Sequence, residues 1–181
     1  RDGVEQVTAR TKEIARAIKG EVAPLEFEQG RPYKNAERVT QSLVGTAERR
    51  GITLNVEGDD NLVANYERRR LYNALYNLVN TALDAPPPGG SITIAVGRDN
   101  SPDYYTLTVR DTGGGMPEEV LRTLFTDAVR STKPGGTGLG TRIVRRIVEQ
   151  HGGAISASSV VGQGTTITLR LPITAAQAFH S

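Results

Sequence analysis

Two glycine-rich clusters, GGG at residues 113–115 and GGTGLG at 135–140, constrain the fold of this chain more than any other feature of its sequence. A strand pattern ends at the first cluster, and the second runs into a helical pattern that begins at about Thr141. Glycine lacks a β-carbon, so both clusters can turn sharply and expose backbone amides. We therefore predict a strand, a glycine-rich loop containing a short helix, and then a longer helix.

Hydrophobic periodicity predicts the remaining elements. Helical spacing indicates helices over about 36–49, 66–84 and 141–150. Alternation indicates the strands ITLNVEG, SITIAVG, YYTLTVR, AISASS and TTITLRL. The order is helix, strand, helix, strand, strand, helix, helix, strand, strand. It predicts an α+β fold, a two-layer α/β sandwich with a mixed, mostly antiparallel sheet and its helices on one face.

One domain with additional segments at its ends is expected, because the 181 residues are close to a typical domain length of about 150. Between Val4 and Ile18, apolar positions alternate three and four residues apart. This spacing fits a helix that packs on a partner helix, and also an amphipathic helix that lies on its own domain. The EQGRPYKN stretch predicts a linker. The predicted units are 1–30 for helix and linker, 31–175 for the main domain and 176–181 for a tail.

Composition excludes several classes of protein. Without cysteines the chain can form no disulfide or thiolate metal site, which fits a reducing compartment. The net charge is only +2 and its Lys and Arg residues are scattered, so we expect no nucleic-acid binding. No apolar run approaches the roughly 20 residues that span a bilayer, so we expect a soluble domain. We expect this domain to be cytoplasmic, in line with its lack of cysteines. Because the chain begins at Arg1, we expect a longer protein, for which membrane anchoring stays open.

Asp111 is the first candidate site residue. It follows the strand YYTLTVR, so its carboxylate should lie at the strand end, where it can accept a hydrogen bond from an exocyclic amine. Gly113 and Gly115 would let a flat ring approach the backbone. A plain Asx turn with a flexible loop gives the same pattern.

The second glycine cluster leads into a helix whose predicted buried stripe is Ile143, Val144, Ile147 and Val148. Backbone amides at a helix N-terminus favour a bound phosphate. Lys133, just upstream, can add a mobile positive charge. A flexible lid without a ligand has the same composition.

The helix predicted over about 66–84 carries a polar face beside its apolar stripe. At about 100° per residue, the stripe is Leu71, Leu75, Leu78 and Ala82, and the polar face is Arg70, Asn77, Thr81 and Asp84. Asn73 and Asn80 flank that face. Amide oxygens one turn apart could hold a hydrated Mg²⁺, although solvated asparagines would show the same pattern. In the final strand, Thr165 could direct its hydroxyl at a base or a water, or simply be a strand residue.

Along the chain, these four elements follow one another as the polar helix, Asp111 with its glycines, the second glycine cluster and Thr165. Together they resemble the catalytic, ATP-binding domain of sensor histidine kinases. That family belongs to the GHKL superfamily, which also contains the gyrase, Hsp90 and MutL ATPases. The resemblance covers about residues 36–172. It rests on ALYNLVNTALDAPPPGGSITI, VRDTGGGM, the Leu124–Phe125 pair, GGTGLGTRIV and GQGTTITLRLP, which match the asparagine, phenylalanine and three glycine boxes. It implies the Bergerat fold, an α/β sandwich, with a lid between the first two glycine boxes.

The resemblance also implies ATP and Mg²⁺ as cofactors, with Asp111 binding adenine and the second glycine box cradling the phosphates. The implied ATP-binding residues are Asn77, Thr81, Asp84, Asp111, Gly113, Gly115, Met116, Lys133, Gly136, Thr137, Gly138, Leu139, Gly140 and Thr165. The implied catalytic residues are Asn77 and Lys133, and the implied metal ligands are Asn77, Asn80 and Thr81.

The asparagine box departs from the family pattern Asn-Leu-Leu-x-Asn-Ala. Asn77 matches the first Asn, but Thr81 stands at the second, which usually binds Mg²⁺. We expect either weakened metal binding or replacement by Asn80, because Thr81 and Asn80 lie about 40° and 60° to either side of Asn77. Related hydrolases keep a carboxylate where this chain has Asn77, and an amide cannot take a proton from water, so phosphoryl transfer is expected over hydrolysis.

The phosphoacceptor histidine is not expected in this chain, which has no His-Glu-x-x-Thr-Pro box. His151 ends a helix and should cap or pack, and His180 lies in the tail. The resemblance implies transfer to a histidine on a separate dimerisation domain of the same protein, a response regulator as a further partner, and a homodimeric full-length protein. The segment 4–18 then resembles the end of a dimerisation helix. The alternatives are a degenerate nucleotide-binding or scaffold module, and a hydrolase or serine kinase of the same superfamily.

Overall fold

A computed structural model describes residues 11, 12, 14, 24–125 and 139–174 of the chain. Most of the predicted N-terminal helix and the tail 176–181 lie outside the described residues. So do four predicted site residues, namely Lys133, Gly136, Thr137 and Gly138.

Between Pro24 and Thr174, the described residues form four helices and seven strands. The helices are α1 (Pro32–Arg49), α2 (Arg68–Ala82), α3 (Glu118–Thr123) and α4 (Leu139–Gln150). The strands are β1 (Glu28–Gly30), β2 (Thr53–Gly58), β3 (Ala64–Tyr66), β4 (Ser91–Arg98), β5 (Tyr104–Asp111), β6 (Ala154–Val160) and β7 (Gly164–Pro172). In the described part of the chain, we find no helix that is both long and apolar enough to cross a membrane.

Five strands form one mixed sheet, in the order β2-β4-β5-β7-β6. β2 runs parallel to β4, and the other neighbouring pairs are antiparallel. Buried residues of α1, α2 and α4 share one hydrophobic core with alternate residues of the central strands. The predicted α+β sandwich with a mixed, mostly antiparallel sheet is confirmed. β5 is the middle strand and β7 lies beside it, so each of these two strands pairs with a neighbour on both sides.

β1 and β3 form a second, two-stranded antiparallel sheet that the sequence pattern does not predict. Glu28 pairs with Tyr66, and Gly30 pairs with Ala64. Each strand has three residues, which is too short for an alternating pattern to be recognised. The prediction of a linker over EQGRPYKN is therefore wrong, because this stretch contains β1 and the start of α1.

The two longest helices begin at residues suited to helix starts. Pro32 occupies the first turn of α1, where its fixed φ angle is already helical and its missing N–H is not needed. Glu67 precedes α2, and its carboxylate accepts a hydrogen bond of 3.0 Å from the backbone N–H of Arg70. This cap explains why α2 begins at Arg68, two residues later than predicted.

Two apolar residues of the helices are exposed, and one of them, Ile143, belongs to the predicted buried stripe. Val44 of α1 is 41% exposed, because it lies about 100° around the helix from the buried Leu43. Ile143 of α4 is 45% exposed, and it lies about 40° beyond Ile147 at the edge of the stripe. The other three predicted positions of the α4 stripe are buried, namely Val144, Ile147 and Val148.

Candidate functional site

Asp111 and Thr165 lie opposite each other at the ends of two central strands. β5 ends at Asp111 and β7 begins one residue before Thr165, and the two residues are paired in the β5–β7 ladder. Each residue is only 8% exposed. The structure therefore places Asp111 at the strand end, as predicted, and brings the carboxylate and the Thr165 hydroxyl into one site.

The carboxylate of Asp111 is held by backbone donors. Its Oδ1 accepts a hydrogen bond of 2.8 Å from the N–H of Gly113, which is the Asx turn that the sequence left open. Burial raises the pKa of the Asp111 carboxyl above its ordinary value, although hydrogen bonds from the backbone of Gly113 and Thr165 oppose the shift. A buried carboxylate with only backbone partners can still accept a hydrogen bond from a ligand.

Glycine is required around Asp111 because other parts of the backbone approach closely. A β-carbon on Gly113 would lie 2.6 Å from Cβ of Ala85, which follows α2. One on Gly115, at φ +70°, would lie 2.2 Å from the carbonyl oxygen of Val160. One on Gly164, at φ +111°, would lie 2.0 Å from the carbonyl oxygen of Asp111. These glycines pack the turn after β5 between α2 and the β6–β7 hairpin. The predicted approach of a ligand ring to Gly113 and Gly115 stays a prediction.

Ser159 of β6 connects the turn at residues 113–115 to the turn between β6 and β7. It is not among the residues predicted for the site. Its Oγ accepts a hydrogen bond of 2.7 Å from the N–H of Met116 and lies 2.8 Å from Oγ1 of Thr165. Met116, a predicted site residue, is thereby tied to Thr165. The signal for Ser159 was its place in the alternation of β6, on the half-buried side with Ile155. A polar side chain on that side of a strand needs a partner.

The predicted metal ligands lie on α2. Asn77 is half-buried, and its Nδ2 donates a hydrogen bond of 2.7 Å to the carbonyl oxygen of Asn73 one turn earlier. This bond commits the amide nitrogen, so its Oδ1 is the atom that remains for a ligand. Asn80 and Thr81 are exposed one turn later.

Asp84 follows α2 and forms an ion pair with Arg50 at the end of α1. Both side chains are more than a third exposed, so water screens this pair. The next residue, Ala85, is the one that contacts Gly113. The end of α2 is thus joined to the turn that follows Asp111, and a role of Asp84 in nucleotide binding stays a prediction.

Helix α4 begins at Leu139, directly after the part of the second glycine cluster that is not described. Gly140 lies in its first turn, and a β-carbon there would meet no atom within 4 Å. The roles of Lys133, Gly136, Thr137 and Gly138 concern residues outside the described ranges, and they stay predictions.

The donor atoms on α2 could supply only part of the coordination of a metal ion, which suits a cation that keeps several waters. Within 24–125 and 139–174, no three His, Asp or Glu side chains come together as a metal site. The Oδ1 of Asn77, the amide of Asn80 and the hydroxyl of Thr81 offer neutral, hard oxygens. Mg²⁺ accepts such donors when waters and phosphate oxygens supply the rest of its coordination.

Comparison with known proteins shows which family this chain matches. Residues 66–175 match the family described as histidine kinase-, DNA gyrase B-, and HSP90-like ATPase. The chain is 34% identical to sensor histidine kinase WalK of Bacillus subtilis over 119 residues. This match covers 63% of the present chain and 20% of WalK. The chain thus spans about a fifth of the length of this curated relative.

Solved structures show the same fold. The catalytic domain of histidine kinase ThkA superposes with a TM-score of 0.74 at 26% identity, over 83% of this chain and 97% of that one. ThkA in complex with the response regulator protein TrrA superposes with a TM-score of 0.73 at 21% identity, over 95% of this chain and 49% of that one.

Proposed function

Because the chain belongs to the histidine kinase-, DNA gyrase B- and HSP90-like ATPase family, we propose that it donates the γ-phosphoryl group of ATP to a histidine. The chain is an ATP-binding domain of the sensor histidine kinase type. In the proposal, the acceptor histidine lies on a separate dimerisation domain of the same protein. In this proposal, residues 31–175 form the catalytic domain together with β1, and the residues before β1 include the end of the dimerisation helix. The full-length protein acts as a homodimer with its catalytic domains in the cytoplasm, and a response regulator is its downstream partner.

The pairing of Asp111 with Thr165 is the observation that carries the proposal. It places a buried acceptor carboxylate beside a hydroxyl at the ends of two central strands. An exocyclic amine is a donor that such a carboxylate can bind. The family match and the fold support the adenine of ATP as this donor.

Phosphoryl transfer requires mainly positioning and neutralisation of charge. Asp111 holds the base, and the first turn of α4 offers backbone N–H groups to the phosphates. Lys133 adds a positive charge. Mg²⁺ would be held by Asn77, Asn80 and Thr81, and its positive charge would stabilise the negative charge that develops on the phosphate oxygens. Asn77 cannot accept a proton from water, so the site favours transfer to a protein nucleophile over hydrolysis.

The proposal is tested with the purified chain, its separate dimerisation domain and ATP labelled in the γ-phosphate. We expect label on the dimerisation domain, with little release of free phosphate in its absence. The Asp111→Asn variant should weaken ATP binding by about 1.5–3 kcal/mol in calorimetry, because a charge-assisted hydrogen bond is lost. Rapid hydrolysis without the dimerisation domain would instead favour a hydrolase, and unchanged ATP affinity of Asp111→Asn would refute the base contact.

A further inference from the structure

Every hydrogen-bonding position of the Ser159 hydroxyl is used within the protein. A serine hydroxyl has one hydrogen and two acceptor positions. The N–H of Met116 donates to Oγ over 2.7 Å, and Oγ lies 3.0 Å from the carbonyl oxygen of Gly164 and 2.8 Å from Oγ1 of Thr165. A carbonyl oxygen only accepts, so the hydrogen of Ser159 is donated to Gly164.

These contacts fix the direction of the Thr165 hydroxyl. With the hydrogen of Ser159 on Gly164, the contact between the two hydroxyls is a hydrogen bond only if Thr165 donates. Thr165 then offers acceptor positions and no hydrogen to a base that binds beside Asp111 in the proposed site. The ionised carboxylate of Asp111 is likewise only an acceptor. Two acceptors in register therefore border the proposed base site.

We propose that Ser159 is a positioning residue for base selectivity. By keeping Thr165 an acceptor, it makes the site select a base with an exocyclic amine, such as adenine, over a base with a carbonyl at that position, such as hypoxanthine. A carbonyl oxygen placed against two acceptors would lose its hydrogen bonds to water without replacement. This inference rests on the proposed function, because it takes Asp111 and Thr165 as the residues that face the base.

The test compares ATP with inosine triphosphate (ITP), which carries a carbonyl in place of the amine. We expect the unchanged chain to bind ATP more tightly than ITP in calorimetry. In Ser159→Ala, the Thr165 hydroxyl can rotate and donate, so the ratio of the two dissociation constants should fall about tenfold. Ser158→Ala is the matched control, since Ser158 lies on the exposed side of the same strand, and it should leave the ratio unchanged.

A second pair of variants separates selectivity from a structural role. Thr165→Val removes the hydroxyl that Ser159 directs, so adding Ser159→Ala to it should not change the ratio further. A merely structural role of Ser159 would weaken both nucleotides equally and lower the thermal midpoint, which leaves the ratio unchanged and overturns the proposal. If Ser159→Ala does not fold, Thr165→Ser should keep the ratio and Thr165→Val should lose it. An unchanged ratio in Thr165→Val would overturn the proposal equally.

The two proposals fail in different ways. If the chain binds neither nucleotide, or if Asp111→Asn leaves ATP affinity unchanged, the proposed function is wrong. If ATP binding depends on Asp111 but the ratio does not respond to Ser159→Ala, the base site stands and only the role of Ser159 is wrong.

Discussion

At the scale of single residues, the burial of the Asp111 carboxyl affects how strongly it would bind a hydrogen-bond donor. Burial raises the pKa of its carboxyl, which means that the ionised form is less well solvated here than in water. Among the groups of the described residues that shift its pKa, the backbone of Gly113 and Thr165 oppose the effect, and no cationic side chain contributes. An amine that donates to this carboxylate supplies a missing hydrogen bond. In the proposed function, the adenine amine would therefore stabilise a carboxylate that is otherwise poorly solvated.

Thr81 is the residue at which the strength of the proposed metal site can be adjusted. A threonine offers one hydroxyl oxygen where an asparagine would offer an amide oxygen. We expect Thr81→Asn to increase the preference for Mg²⁺-ATP over metal-free ATP by about 1 kcal/mol or more, measured by calorimetry with and without Mg²⁺. Because Thr81 is exposed, the change should leave the fold intact.

The companion variant is Asn80→Ala, which removes the other candidate ligand on the same exposed turn of α2. If Asn80 already supplies the amide oxygen, Asn80→Ala will abolish the preference for Mg²⁺-ATP and Thr81→Asn will restore it. If neither variant changes the difference between Mg²⁺-ATP and metal-free ATP, neither Asn80 nor residue 81 takes part in binding the metal.

At the scale of elements, His151 joins the end of α4 to the start of α2. Its Nε2 accepts a hydrogen bond of 3.1 Å from the N–H of Glu67, and its Nδ1 lies 2.7 Å from the carbonyl oxygen of Ile147. Nδ1 must therefore carry the hydrogen, and the ring is neutral. Arg70 of α2 also donates to Gln150 of α4 over 3.0 Å. The expectation that His151 packs or caps is confirmed, since the residue is 3% exposed.

This junction predicts a dependence of stability on pH. Burial lowers the pKa of His151 below its ordinary value of 6.5, and Arg70 adds to this shift, while Ile147 and Glu67 oppose it. The unfolded chain therefore takes up the proton first. The free energy of unfolding should be highest above pH 6.5 and fall as the pH drops from 6.5 towards the lowered pKa. Denaturant titrations between about pH 5 and 8 measure this slope.

His151→Leu tests the assignment of that slope. The variant should lose about 2 kcal/mol at pH 8, because it removes a hydrogen bond and leaves the N–H of Glu67 without its partner. Its stability should then vary less with pH than that of the unchanged chain. His180→Gln, which alters the other histidine, should keep the original slope. An equal slope in His151→Leu would show that another group titrates.

Long patterned elements were predictable from the sequence, and short or non-local contacts were not. Asp111 and Thr165 could be found because each lies at the end of a recognisable strand. Ser159 could not be assigned a role, because its partner Met116 is 43 positions away in the sequence and is placed by two turns. β1 and β3 were not predictable either, because a three-residue strand depends on its pairing and is too short to show an alternating pattern.

At the scale of the whole molecule, the segment before α1 is part of the fold. β1 pairs with β3, and the ring of Phe27 packs edge-on against that of His151, with their centroids 5.2 Å apart. Asn65 of β3 donates to the carbonyl oxygen of Ile173, just after β7. The small sheet thus joins the start of the described domain to its end and to the junction between α2 and α4.

This arrangement predicts that a chain of residues 31–181 is less stable than one of residues 24–181. The shorter chain loses the β1–β3 pairing and the contact between Phe27 and His151, which together should cost about 2 kcal/mol in denaturant unfolding. Phe27→Ala in the longer chain should reproduce much of this loss, whereas Glu28→Gln should have little effect, since the ion pair of Glu28 with Arg68 spans 3.6 Å and is exposed. Both chains should bind ATP with similar affinity, because none of the proposed contacts precedes residue 31. Equal stability of the two chains would mean that the domain begins at α1, as the sequence predicted, and that the small sheet contributes nothing to its stability.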